Sequence, residues 1–213
     1  MKQYIIFDLD GTLIQSTESS FEIQYNILKK YIPDLERDYL KYYFNQTAGT
    51  ALEEQLDTLC KNKLESTEIK KITDEIYEAI IEHRDEVSFF PWVETMLQNL
   101  HSEYKFFLST WNSDQYAQKI LSEAGLDSYF EKILGSSIVH KSVEHIKIFS
   151  EIACDDEFAQ KAIYIWDGNT DRDIAQSAWI DFIKVWEEWI DSYEVDHTTD
   201  AMDIITQLNT WNI

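Results

Sequence analysis

The sequence predicts an α/β protein: a parallel sheet wrapped on both sides by helices, with an all-helical subdomain inserted after the first strand. Three observations predict it. Short apolar runs rich in β-branched and aromatic residues recur along the chain, and helical periodicity separates the later ones. Behind the first run, some seventy-five residues carry helical periodicity and no convincing strand.

The first run, Tyr4-Ile5-Ile6-Phe7, stops at acidic residues and a glycine, as a buried parallel strand does. Lys105–Ser109, 132–134, Ala162–Trp166 and 182–185 repeat the pattern. Between them, Trp92, Met96, Leu97 and Leu100 share a face at helical spacing. Tyr116, Ile120 and Leu121 do the same behind Asn112-Ser113-Asp114, a helix-start signal. Strands alternating with helices make this core Rossmann-like. The block 16–90 repeats apolar residues at helical spacing (Phe21, Ile27 and Leu28; Leu52, Leu56 and Leu59; Ile69, Ile72, Ile76 and Ile80). It is too long for an ordinary crossover. It is therefore expected to be a subdomain inserted into a core of 1–15 and 91–213. The last twenty residues predict a loop and one terminal helix.

At 213 residues the chain can bury a sizeable core without disulfides, and 44% hydrophobic with 14% aromatic residues argues against disorder. Forty acidic against 18 basic residues give a formal charge of −22. Such a surface repels nucleic-acid backbones and anionic membranes, so neither is expected as a partner. Cys60 and Cys154 show no C-x-x-C spacing, which argues against structural zinc and leaves a disulfide open. The opening apolar run is too short for a signal peptide, and no eighteen apolar residues occur together. A soluble, cytoplasmic protein is expected. There is no P-loop glycine-lysine motif and no H-E-x-x-H.

Chemistry concentrates at Asp8-Leu9-Asp10-Gly11-Thr12, immediately behind the first strand. Carboxylates at the carboxyl end of a parallel strand lie where open α/β sheets bind ligands. Both aspartates can reach one hard cation through oxygen, directly or through a backbone carbonyl. Gly11 allows a tight turn and lets a phosphate approach backbone N–H groups. From average composition, D-x-D-G-T arises at about one position in 10^5, so its place behind a buried strand is not a coincidence of composition.

Phe7-Asp8-Leu9-Asp10-Gly11-Thr12-Leu13 resembles the first signature of the haloacid dehalogenase (HAD) superfamily. The resemblance implies three more signatures on a HAD-like sheet. The second, a Ser or Thr ending the next core strand, is supplied by Phe106-Phe107-Leu108-Ser109-Thr110-Trp111-Asn112, with Thr110 as the phosphate-binding position and Ser109 as the alternative. The third, a lysine opening a helix, is matched by Lys141 in His140-Lys141-Ser142-Val143-Glu144, with Lys147 as a rival; the family often has proline where Ser142 stands. The fourth is matched by Ile165-Trp166-Asp167-Gly168-Asn169-Thr170-Asp171, with Asp173 competing with Asp171. A magnesium ion (Mg2+) is implied on Asp8, the Asp10 carbonyl and Asp167, with Asp171 acting through water or orienting Lys141.

Trp166 stands where the family commonly has glycine, and Trp111 follows Thr110. Both rings are expected to pack against the cap or flanking helices; the alternative is that they narrow the site.

The resemblance further implies a phosphatase acting on a small, soluble phosphomonoester, with Asp8 as nucleophile and Asp10 as acid and base. An aspartate at position 10 disfavours carbon–halogen cleavage. The helical insertion resembles the cap of the phosphoglycolate-phosphatase and β-phosphoglucomutase branch. There the loop Gln46-Thr47-Ala48-Gly49-Thr50 would dip toward the ester. Alternatives are a phosphomutase, which shares every core residue, and a catalytically silent HAD-like binding or regulatory protein. The sequence leaves the oligomeric state open.

Overall fold

The computed structural model describes residues 2–47, 52–61, 63–83, 88–185 and 193–195. The chain divides into two compact units, Met1–Ile14 with Phe89–Ile213, and Gln15–Ser88.

The larger unit is built on one sheet in the order β3-β2-β1-β4-β5-β6. Strands β1 (Tyr4–Phe7), β2 (Lys105–Ser109), β3 (Phe130–Leu134), β4 (Ala162–Trp166) and β5 (Asp181–Val185) all run parallel. The sixth, β6 (Tyr193–Val195), pairs antiparallel with β5. This edge strand was not expected. Three residues are too few for a periodicity signal, and the sequence there predicts loop. The terminal helix expected after it lies outside the described residues.

The order fixes where a site can form. From β1 the chain builds outward through β2 and β3 on one side, then returns to lay β4 and β5 on the other. The strand order reverses between β1 and β4, and ligands of open α/β sheets bind outside the carboxyl ends at such a point. Asp8 and Asp167 are the first residues beyond those two ends. The Asp8 N–H still donates to the Ile165 carbonyl, 2.9 Å away, so the pairing carries it directly beside β4.

Both faces of the sheet are covered. Tyr4, Ile6, Phe107, Tyr164, Trp166 and Phe182 alternate onto one face. There they meet Ile146 and Phe149 of α7 (Val143–Ala153), Phe158 of α8 (Phe158–Lys161), and Ile174 and Ala175 of α9 (Asn169–Ser177). Burying a Phe or Ile fully is worth about 1.5–3 kcal/mol, so this layer carries much of the unit's stability. The alternate set, Ile5, Phe7, Phe106, Leu108, Ile163, Ile165 and Ile183, is equally buried. Helices α5 (Val93–Leu100) and α6 (Asp114–Glu123) bury the faces that their periodicity predicts, Val93, Met96, Leu97 and Leu100 in one, Ala117 and Leu121 in the other.

In the smaller unit the described residues form four helices: α1 (Thr17–Tyr31), α2 (Arg37–Gln46), α3 (Leu52–Leu59) and α4 (Ser66–Glu82). They enclose a separate core in which Phe21, Leu28, Leu40, Leu56, Ile72 and Ile76 are buried. Arg37 and Lys41 of α2 tie to Glu18 of α1. The expected ester-facing loop, 46–50, falls largely outside the described residues. Cys60 and Cys154 are both free thiols, which closes the disulfide left open by the sequence.

Candidate active site

All eight residues expected to carry chemistry lie in the larger unit, and a buried ammonium connects two of the acidic ones, Asp8 and Asp171. Lys141 is 2% exposed. Its Nζ lies 2.8 Å from Asp8 Oδ1 and 2.6 Å from Asp171 Oδ1. Tyr164, pointing from β4 into the same space, donates its hydroxyl to Asp171 Oδ1 at 2.7 Å. Asp8 is 5% and Asp171 1% exposed, so this is a desolvated charge network. Such a pair survives only when its remaining lone pairs and protons are satisfied.

Local structure delivers each member. Lys141 precedes α7, whose N-cap Ser142 accepts the Glu144 N–H at 3.2 Å. A serine cap thus starts the helix where the family often uses proline. Lys147, the rival, is exposed on α7 and paired with Glu144. Asp171 lies in the first turn of α9, and Asp173 is exposed.

Behind β1 the chain turns sharply: the N–H groups of Leu13 and Ile14 both donate to the Leu9 carbonyl, at 2.8 and 3.0 Å. Gly11 holds φ +67° there, a region unfavourable for a side chain. Its own N–H donates to the Ile14 carbonyl at 2.9 Å. The Gly11 amide itself thus takes part in closing the tight turn.

The loop after β2 is laced to the loop after β3. Thr110 N–H donates to Leu134 O at 3.0 Å, and Ser136 N–H to Asn112 O at 2.7 Å. Asp114 accepts the N–H groups of Gly135 and Ser137. Ser136 Oγ donates to Thr110 O and accepts the Lys141 N–H, both at 3.1 Å. A Cβ at Gly135 would sit 2.3 Å from Asp114 N and 2.5 Å from Asn112 O, so only glycine permits the approach.

Within this lacing Thr110 is buried, and its Oγ1 accepts the Asn112 N–H at 3.1 Å, leaving its own hydroxyl proton to donate elsewhere. Ser109, the alternative, is engaged with the buried His145 at 2.9 Å from Nδ1. Because His145 Nε2 faces the Val139 carbonyl at 2.9 Å, it must carry a proton; Nδ1 is then the acceptor for the Ser109 hydroxyl.

The two tryptophans separate. Trp166 is fully buried on the α7–α9 face, its ring 5.3 Å from that of Phe182. As an alternate strand residue it packs on the same face of the sheet as Tyr164, in the core under α7 and α9. Trp111 is 50% exposed and does not enter the core.

Electrostatics bind the four aspartates. Burial pushes the Asp8 carboxyl well up; Lys141 opposes this, and Asp171, Asp167 and Asp10 add to it. Burial also raises Asp167, with Asp171 and Asp10 adding and Lys141 opposing, to about 7. For Lys141 burial acts downward, but Asp171 and Asp8 outweigh it and hold the ammonium well above its ordinary value. Negative charge is in excess: Asp8, Asp10, Asp167 and Asp171 share one rim with the Lys141 ammonium. Among the described residues no three carboxylates, imidazoles or thiolates gather into a ready-made cation cage. Asp171 is engaged by Lys141 and Tyr164.

The model of the haloacid dehalogenase-like hydrolase family matches residues 5–185. The chain belongs to this family. Solved structures agree on the fold. A candidate phosphoglycolate phosphatase from Lactobacillus plantarum superposes with a TM-score of 0.73 at 18% identity, covering 96% of this chain and 100% of that one. A haloacid dehalogenase-like family hydrolase from Streptococcus pneumoniae gives 0.67 at 22%, covering 95% and 90%. A candidate β-phosphoglucomutase from Thermotoga maritima gives 0.63 at 18%, covering 98% and 99%. No curated protein matches the chain in sequence.

Several participants in this HAD-family site carry no signal that sequence reasoning caught. Tyr164 sits in an apolar strand, where a tyrosine looks like any core residue. Asn112 looks like part of a helix start. Ser136 and Gly135 lie in a loop with no motif. His145 looks like a scattered histidine until the fold sets it against Ser109.

Proposed function

We propose that this HAD-family protein is a magnesium-dependent phosphatase acting on a small, soluble phosphomonoester, with Asp8 as the nucleophile. The observation that carries the reading is the Lys141 ammonium held between Asp8 and Asp171 at the reversal point of the sheet. The candidate structures named for a phosphoglycolate phosphatase and a β-phosphoglucomutase share the fold and lend the reaction class.

The donor set fits magnesium. It is all oxygen, with an excess of negative charge that the Lys141 ammonium only partly offsets. Magnesium takes few protein carboxylates and keeps several waters, so the Asp8 and Asp167 carboxylates with the Asp10 carbonyl would hold it without a cage of three side chains. When bound, the ion supplies positive charge to the phosphoryl oxygens.

The residues then divide the work. An Asp8 oxygen bonds to phosphorus as the ester P–O bond breaks, and Asp10 gives its proton to the departing alkoxide. Water, deprotonated by Asp10, bonds to phosphorus as the Asp8 P–O bond breaks; Asp10 is an acid again. Lys141 and the Thr110 hydroxyl offset charge on the equatorial oxygens. The helical unit is proposed as the cap that selects the ester, as lids do generally.

Phosphate release from 4-nitrophenyl phosphate, with and without magnesium, tests the reading. Wild type is expected to release phosphate only with the metal, and Asp8→Asn to lose at least ~10^3-fold in kcat, the scale on which covalent nucleophiles matter. Release that survives Asp8→Asn, or no release from a panel of phosphate esters, sinks it. Transfer to a second sugar hydroxyl in place of water would favour the phosphomutase.

A further inference from the structure

Asn112 was expected only as part of a helix start, and the fold gives it a different task. Its side-chain amide Nδ2 donates to Asp10 Oδ2 across 102 residues of sequence. We infer that Asn112 is the positioning residue that sets the Asp10 carboxyl for proton transfer; the inference rests on the proposed phosphatase reading and deepens it.

The amide arrives in a fixed place. Its backbone N–H is held by Thr110 Oγ1 at 3.1 Å, and its carbonyl by the Ser136 N–H at 2.7 Å. Gly135 lies so close behind that a Cβ would meet the Asn112 carbonyl oxygen at 2.5 Å. The side chain therefore projects from a backbone held by two hydrogen bonds, one on its N–H and one on its carbonyl. Asp10 lies half-buried in the turn behind β1, and the Asn112 amide fixes one of its two carboxyl oxygens.

The chemistry requires a donor of this kind. A carboxyl that protonates a leaving alkoxide and then deprotonates water must be held in both protonation states. While Asn112 donates to Oδ2, that oxygen remains an acceptor in both forms, so the acid gives its proton from Oδ1 and the base takes one up there. A lysine or arginine in the same place would also donate, but its charge would favour the carboxylate and deprive the first step of its proton. A neutral amide fixes the rotation without that bias.

The test reads the leaving-group dependence of kcat/KM, which reports only the steps through phosphoryl transfer to Asp8. Esters of good leaving groups need little proton donation, whereas esters of simple alcohols need it fully. For Asn112→Ala, and for the isosteric Asn112→Asp that lacks the donor, kcat/KM on alkyl phosphates is expected to fall about 10- to 100-fold, part of what general acid catalysis supplies. With 4-nitrophenyl phosphate the fall is expected to stay below ~3-fold, on the same reasoning. Asp10→Asn should show the same steepened dependence, and adding Asn112→Ala to it should steepen it no further.

A loss equal for all esters, in both Asn112 variants, would mean that the residue only supports the loop and would overturn the inference. So would an unchanged profile. Wild type without magnesium-dependent release would instead bring down the phosphatase reading itself, before any variant is made.

Discussion

His145 shows how one buried side chain can link the site to the stability of the fold. It is fully buried, accepts from Ser109 and donates to Val139 O. Burial lowers its pKa, the Val139 carbonyl opposes this, and Lys141 lowers it further. A proton on Nδ1 would reverse the Ser109 bond, turning the hydroxyl into the acceptor, and place a second cation beside Lys141. The sign of the linkage follows. When pH falls through the ordinary histidine range, the unfolded chain takes up the proton and the native state does not, so His145 withdraws stability on the acid side. Chemical unfolding from pH 7.5 to 5 should therefore show a smaller acid loss in His145→Asn than in wild type. The asparagine keeps an acceptor for Ser109 but cannot titrate. Parallel pH profiles would refute the assignment. At the same scale, Thr110, Lys141 and Asp171 were recognisable because each follows a buried strand at a spacing the family repeats. Tyr164 and Asn112 were not, because their partners, Asp171 and Asp10, meet them only through the sheet and loop geometry.

Among the elements, strands and helices were legible where apolar periodicity runs for several residues, as in β1, β2, β4 and α5. Strand β6 was not, since its pairing with β5 is a tertiary choice that three residues cannot announce. Ser142 is the more instructive departure. The family often has proline there, and a proline-for-serine exchange would look harmless from sequence. Yet Ser142 sits at φ −167°, extended backbone that proline, fixed near −65°, cannot adopt. Two substitutions separate the contributions. Ser142→Ala should cost about 1 kcal/mol, the worth of an N-cap. Ser142→Pro should cost more, about 2 kcal/mol or above, because it removes the cap and also forces the backbone that leads into Lys141. Urea unfolding measures both. Equal losses would show that the chain can re-form the α7 start around a proline, and that the serine is a cap and nothing else.

For the whole molecule the decisive feature is the way one unit is inserted into the other. The expected boundary fell at 15/16 and 90/91 from the loss and return of strand patterning; by compactness the units divide at Ile14 and Phe89. Chain leaves and returns on paired segments: Ile14 bridges Phe89, Phe90 N–H donates to Leu13 O at 3.0 Å, and Gln15 N–H to Ser88 O at 2.8 Å. The ends of the insertion are therefore adjacent, and a short Gly/Ser linker can replace 16–87 without stretching the sheet-bearing unit. Loop-closure entropy grows only slowly with length, so exchanging a long insertion for a short linker should not oppose folding. Each unit also owns its core, Phe107, Tyr164 and Phe182 in one, Leu28, Leu56 and Ile72 in the other. The shortened protein is expected to unfold in one cooperative transition and to keep magnesium-dependent hydrolysis of 4-nitrophenyl phosphate at a reduced rate. Its preference among physiological esters should collapse toward uniform kcat/KM values, because the proposed chemistry resides at the sheet rim and the proposed selection in the helices. A shortened chain that folds and still discriminates among esters as wild type does would remove the helical unit from substrate choice. One that folds but hydrolyses nothing would show that the rim needs groups from the helices for chemistry itself.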